Sequence, residues 1–127
     1  PVIFCNQIQI GQLFSNLISN SLKFVEVDPV IRISSSVVMG SEISESFKNP
    51  PEAKYYKIVF EDNGIGFEEK YSELIFSLFQ RLHGRNEYSG TGIGLALCKR
   101  IVENHNGFIY ASSEAGKGAK FFVYLPV

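Results

Sequence analysis

The first 22 residues carry no charged side chain, and this narrows what the chain can fold into. A charge-free run of that length invites a membrane reading. Asn6, Gln7, Gln9, Gln12, Ser15, Asn16, Ser19 and Asn20 interrupt it, so it is not a spanning helix. At about 100° per residue, Ile10, Leu13, Phe14, Leu17, Ile18, Phe24 and Val25 share one broad face. Gln9, Gln12, Asn16, Asn20 and Lys23 fall within an arc of about 80° on another. The pattern predicts a helix from Asn6 to about Val25, buried on one side and lined with amides on the other.

Asp28-Pro29 ends that region. Val30–Val38 is β-branched and alternating and reads as a strand, Met39–Ala53 as a hairpin loop, and Tyr55–Glu61 as a second strand. Glu68–Leu78 has room for one or two short helical turns. Gly92–Asn104 reads as a helix with Ile93, Leu97 and Ile101 inward, stopped at Asn106-Gly107. Phe108–Ser113 and Ala119–Leu125 read as strands joined by Glu114–Gly118. No repeat or interdomain linker breaks the 127 residues, so one domain over 1–127 is expected. The order suggests an α+β fold, a two-layer sandwich whose mixed, mostly antiparallel sheet carries helices on one face. The chain begins without Met and reads as a piece of something longer.

Charge and cysteine usage exclude several function classes. Twelve Lys and Arg against 13 Asp and Glu leave a net charge of −1, which gives no footprint for nucleic acid or anionic lipid. Cys5 and Cys98 are too few for a disulfide framework or a metal cluster. A reducing, cytoplasmic compartment is expected, with any membrane anchor on the parent protein. No signal peptide pattern appears.

Four constellations point to chemistry. The first is the amide face Gln9, Gln12, Asn16, Asn20 and Lys23. Solvated faces usually use Lys and Glu, whereas amide oxygens suit Mg²⁺ when phosphates supply the charge. The second is Asp62-Asn63-Gly64-Ile65-Gly66-Phe67 after a strand. It is a tight turn at least, and it also offers a carboxylate to a ligand amino group. The third, Gly90-Thr91-Gly92-Ile93-Gly94-Leu95, opens a helix whose first N–H groups can hold phosphate. Its spacing fits neither the dinucleotide fingerprint nor a Walker A loop. The fourth is Arg81, His83 and Arg85, surface charge if alone and a polyphosphate clamp beside such a loop. His83 and His105 read as structural or solvated, and no nucleophilic triad is present.

Taken in this order, the motifs resemble the ATP-binding catalytic domain of bacterial sensor histidine kinases, within the gyrase, heat-shock chaperone, histidine kinase and mismatch-repair ATPase superfamily. Asn16–Phe24 is similar to the family's asparagine box, Asp62–Phe67 to its first glycine box, and Ile75–Arg81 to its phenylalanine box. Gly90–Leu95 is similar to the second glycine box, and Gly116-Lys117-Gly118 with Phe121 to the final glycine element. Phe79–Arg85 resembles kinases linked to phytochrome-type or PAS-type sensors.

The resemblance implies a Bergerat-type ATP-binding sandwich with a mobile lid from about Gly84 to Gly90. It implies that Asp62 bonds the adenine amino group, that Gly64, Ile65 and Gly66 pass beside the base, and that Phe24 borders it. Asn20 would ligate Mg²⁺ with Asn16 nearby, and Lys23, Arg81 and Arg85 would approach the phosphates. Thr91, Gly92, Ile93, Gly94 and Leu95 would line the phosphate side. Asn16, Asn20, Lys23 and Arg81 are the candidate catalytic residues. The cofactors implied are ATP and Mg²⁺. The partners implied are a dimerisation and phosphoacceptor domain of the same parent and a downstream response regulator.

Two departures from the family pattern matter. Asn16 stands where hydrolytic relatives place a Glu base, which favours a kinase over an ATPase. Ala119 stands where a Thr or Ser is frequent, so a hydroxyl beside Asp62 is missing, and an effect on affinity is expected. The competing readings are a related hydrolase, a serine kinase, and a non-catalytic interaction module. Neither His83 nor His105 sits in a phosphoacceptor setting, so the acceptor histidine is expected outside this chain.

Overall fold

Asn6 starts the first helix by accepting the Gln9 N–H on its Oδ1 at 3.1 Å, which satisfies one of the first-turn donors that lack a helical partner. The computed structural model describes residues 5–23, 28–43, 50–76 and 94–127. Helix α1 spans Gln7–Lys23. Leu13 and Leu17 are fully buried along it, and Ile10, Phe14 and Ile18 pack against the same core. Phe24 and Val25, expected on this face, lie outside the described residues.

Strand β1 is Ile31–Met39, β2 is Lys54–Asp62, β3 is Phe108–Ser113 and β4 is Ala119–Pro126. The sheet order is β1-β2-β4-β3, and each of these pairings is antiparallel. The sheet, expected to be mostly antiparallel, is antiparallel at each of these pairings. Alternation divides it into two faces. Ile58, Phe60, Phe121, Val123, Ile109 and Ala111 point to the helices and are buried. The other face carries a smaller aromatic cluster, with Tyr110 stacked on Phe122 at 4.5 Å between centroids. Edge strand β1 is exposed at the six successive positions 32–37, so its alternation does not mark a half-buried strand.

Two 3-10 turns, Glu69–Tyr71 and Leu74–Phe76, fill the place where short helical turns were expected. Phe76 meets the ring of Phe121 edge-on at 6.2 Å. Helix α2 spans Gly94–Asn104 and buries Cys98, Ile101 and Val102. It ends where Asn106 adopts φ 59°. There the Gly107 N–H bonds Val102 O at 2.9 Å and the Asn106 N–H bonds Glu103 O at 3.0 Å, a Schellman cap. Full burial of Phe60, Phe121, Leu13 and Leu17 is worth about 1.5–3 kcal/mol each, which fastens both helices to one face of the sheet.

Candidate functional site

Asp62 closes β2 on the helix-facing side, in register with Ala119. Three donors hold its carboxylate. Oδ1 accepts the Gly64 N–H at 2.9 Å and the Ala119 N–H at 3.3 Å. Oδ2 accepts the Ser21 hydroxyl at 2.8 Å. An ionised carboxylate has about four acceptor positions, so the described residues leave one open, on Oδ2. The hydroxyl expected to be lost at Ala119 is thus supplied from α1, and Ala119 itself contributes its backbone N–H. Ser21 is the residue that sequence reasoning missed. Its spacing of four from Leu17 and of eight from Leu13 was the available signal, because it put a hydroxyl on the buried seam.

The loop after Asp62 is fastened at both ends. The Asn63 side chain accepts the Val30 N–H at 2.8 Å and donates to Asp28 O at 2.9 Å, tying β2 to the segment before β1. The Gly116 N–H bonds Ile65 O at 2.6 Å. The Phe67 N–H bonds Ser113 Oγ at 2.9 Å, and that hydroxyl donates to Gly118 O at 2.6 Å. Gly66 has φ +66°, and a Cβ there would stand 2.5 Å from Glu114 O. Gly118 has φ +91°, and a Cβ there would stand 2.1 Å from Asp62 O. The final glycine element therefore works structurally, by letting the β3–β4 turn lie against the Asp62 backbone and present the Ala119 N–H.

At the other end of the site, Asn16 Nδ2 makes a long contact to Gly94 O at 3.5 Å, joining α1 to the first turn of α2. The Cys98 thiol contacts Leu13 O at 3.9 Å, and burial pushes its pKa up to about 12 against the opposing influence of the nearby Asn16 side chain. Asn16 and Ser21 are five residues apart, about 7.5 Å along the helix axis. Helix α1 thus spans from the carboxylate cradle to the start of α2, where the first backbone N–H groups have no helical acceptor. Gly94 and Leu95 lie at that start. Asn20 is half-buried between the two ends, and among the described residues nothing bonds its amide. Lys23 ends α1.

Among the described residues no three His, Cys, Asp or Glu side chains converge. A neutral amide donor set fits a Mg²⁺ that takes its charge compensation from phosphate. The structure joins Asn16 to Gly94 at one end of α1 and links Asp62, with Gly64, to Ser21 at the other, whereas Ile65 and Gly66 lie against the 114–118 turn. Phe24, Arg81, Arg85, Thr91, Gly92 and Ile93, with His83 and the expected lid at 84–90, lie outside the described residues. His105 is structural, as expected. Its Nδ1 faces Ile101 O at 2.8 Å and its Nε2 accepts the Asn6 N–H at 3.1 Å.

Comparison with known proteins gives the family and the fold. A family model described as histidine kinase-, DNA gyrase B-, and HSP90-like ATPase matches residues 5–127. The phytochrome-like protein Cph1 of Synechocystis sp. is 39% identical over 128 residues, which covers all of this chain and 15% of that protein. Among solved structures, the mycobacterial sensor histidine kinase MprB aligns with TM-score 0.73 at 20% identity, over 95% of this chain and 72% of that one. Full-length ShkA, solved in complex with AMPPNP, aligns with TM-score 0.71 at 23% identity, over 93% of this chain and 21% of that one.

Proposed function

The chain belongs to the histidine kinase-, DNA gyrase B- and HSP90-like ATPase family, as a catalytic domain of the sensor histidine kinase type, and from that premise we propose how its residues serve phosphoryl transfer. The domain binds Mg-ATP and delivers the γ-phosphoryl group to a histidine on a separate domain of the same parent protein. A response-regulator aspartate then receives it. The chain spans 15% of the length of its phytochrome-like relative, which leaves room for sensor and acceptor domains elsewhere in such a parent.

The observation that carries this reading is the Asp62 cradle, three donors on a carboxylate with one acceptor position left. A ligand amino group fits that position, and the adenine amine is the group we assign to it. Bound Mg-ATP would supply the transferable phosphoryl group and neutralise charge on its oxygens. Asn20 is the Mg²⁺ ligand in this proposal, because no described residue engages its amide. Asn16 holds the start of α2 in place, so the backbone N–H groups there face the phosphates. Lys23, Arg81 and Arg85 add positive charge. An amide at Asn16 cannot take a proton from water at neutral pH, so transfer to an imidazole is favoured over hydrolysis. The AMPPNP complex of ShkA supports nucleotide binding by this fold.

The test is calorimetric titration with Mg-ADP of the wild type and of Asp62→Asn. The variant turns the open acceptor into a donor and should lose about ten- to a hundredfold in affinity, the worth of a hydrogen bond to a charged group. No binding by folded wild-type protein would overturn the reading. So would fast hydrolysis of ATP by the isolated chain.

A further inference from the structure

Strand β1 is an edge of the sheet, and its hydrogen bonds to β2 fix which of its backbone atoms face outwards. The Asn63 N–H bonds Val30 O at 3.3 Å and the Gly40 N–H bonds Ala53 O at 2.7 Å, at the two ends of the β1–β2 register. Bonded pairs alternate along an antiparallel ladder, so the even-numbered residues of β1 turn their backbone groups towards β2. Those of Ile31, Ile33, Ser35, Val37 and Met39 turn outwards. Glu42 Oε2 takes the outward N–H of Met39 at 2.6 Å. Among the described residues nothing takes the outward groups of Ile33, Ser35 and Val37. These three also sit on the helix-facing side, opposite Phe60, Ile58 and Tyr56. Ile33 is 47% exposed there and Val37 58%. Natural edges are blunted by charge, proline or a bulge. The stretch 33–38 has neither charge nor proline, and its register with β2 is unbroken.

We propose that β1 is a self-association edge, to which a second copy of this chain adds its own β1, antiparallel about a two-fold axis at Ser35. The local sequence favours that occupant. Ile33-Ser34-Ser35-Ser36-Val37 reads nearly the same from either end. Pairing centred on Ser35 sets Ile33 against Val37 of the second copy, Ser34 against Ser36, and Ser35 against itself. Each β-branched side chain on the exposed apolar strip then meets another β-branched one. Each open N–H and C=O from 33 to 37 finds its counterpart. A slip by one residue would set open groups against groups already bonded to β2. Arg32, the one charge in β1, faces Val38 of the second copy and stands roughly 20 Å from its own counterpart, so like charges do not meet. The two-fold joins two four-stranded sheets into one, with self-complementary surfaces as a homodimer requires. None of residues 33–37 belongs to the candidate nucleotide site, so the proposal stands apart from the nucleotide reading.

The experiment is sedimentation equilibrium of the chain at up to about 1 mM, the effective concentration that a short tether supplies. The wild type should show a concentration-dependent equilibrium of monomer and dimer. Ser35→Pro removes the N–H at the axis, and its outward position spares the β2 ladder. It should weaken dimerisation about tenfold or more, the loss of two backbone bonds, with an unchanged circular dichroism spectrum. If it fails to fold, Val37→Lys, at an exposed position, must weaken dimerisation likewise. Register is read from Ser34→Cys with Ser36→Cys in a Cys5→Ser background. These positions form close, non-hydrogen-bonded pairs in the dimer, and oxidation should link the two copies through disulfides. A wild type that stays monomeric overturns the proposal, as does a dimer that the folded edge variant leaves untouched. A dimer that does not cross-link through 34 and 36 overturns the two-fold at Ser35 and the proposal with it. Capture of an extended peptide by a chain that does not dimerise would also overturn it, since β1 would then serve another protein.

Discussion

At Gly118 two demands meet that only glycine satisfies, a φ of +91° and a backbone approach that would put a Cβ 2.1 Å from Asp62 O. The contact is backbone to backbone, so no side chain can swing aside. Gly118→Ala should therefore cost well over the ~1 kcal/mol of an ordinary substitution and should weaken Mg-ADP binding, because the Ala119 N–H moves off Oδ1. Denaturant unfolding and nucleotide titration of the variant check the two effects separately. The turn after β2 was legible in the sequence, since Asp62-Asn63-Gly64 is a turn signal. What its glycines approach was not legible. Gly66 was expected beside a base, and it lies against the 114–118 turn, a contact set by strand register that no local pattern carries. Ser21 was hidden for a similar reason, because a serine near a helix end looks like filler until the strand it faces is known.

Helix α1 carries its own test of composition against fold. Gly11 lies in its second turn, is exposed, and a Cβ there would meet nothing within 4 Å. Gly11→Ala should stabilise the domain by about 0.5–1 kcal/mol, as helix propensity requires, and denaturant midpoints would show it. At the end of α2, Asn106 holds a left-handed φ of 59°. Asn106→Ala should cost about 1 kcal/mol and Asn106→Gly should cost little or nothing, measured in the same way. Element positions were readable because their signals are local: the apolar face of α1, Asn106-Gly107 as a stop, alternation in the strands. The exposure of β1 was not, because alternation reports two faces and cannot say whether a helix lies over one of them.

Across the whole molecule, Cys98 reports on global opening. It is fully buried, and its thiol is held from an ordinary 9.0 up to about 12, whereas Cys5 is exposed. A disulfide reagent should titrate one thiol at once and the second only through unfolding. Mg-ADP at about a hundred times its Kd should slow the second phase by about a hundredfold if labelling follows the unfolded population. The raised thiol favours the neutral form in the fold. Its contribution to stability is complete below 9.0 and is lost as pH rises towards about 12, so urea midpoints should fall across that alkaline range. The sheet order adds a consequence for biosynthesis. Strand β4 comes last in the chain and lies between β2 and β3. Asp62 thus waits, while the chain is still being translated, for the N–H of Ala119, more than fifty residues downstream. A nascent or truncated product has the asparagine helix and the carboxylate but no finished cradle, so under the proposed function a fragment released early should bind nucleotide more weakly than the complete domain.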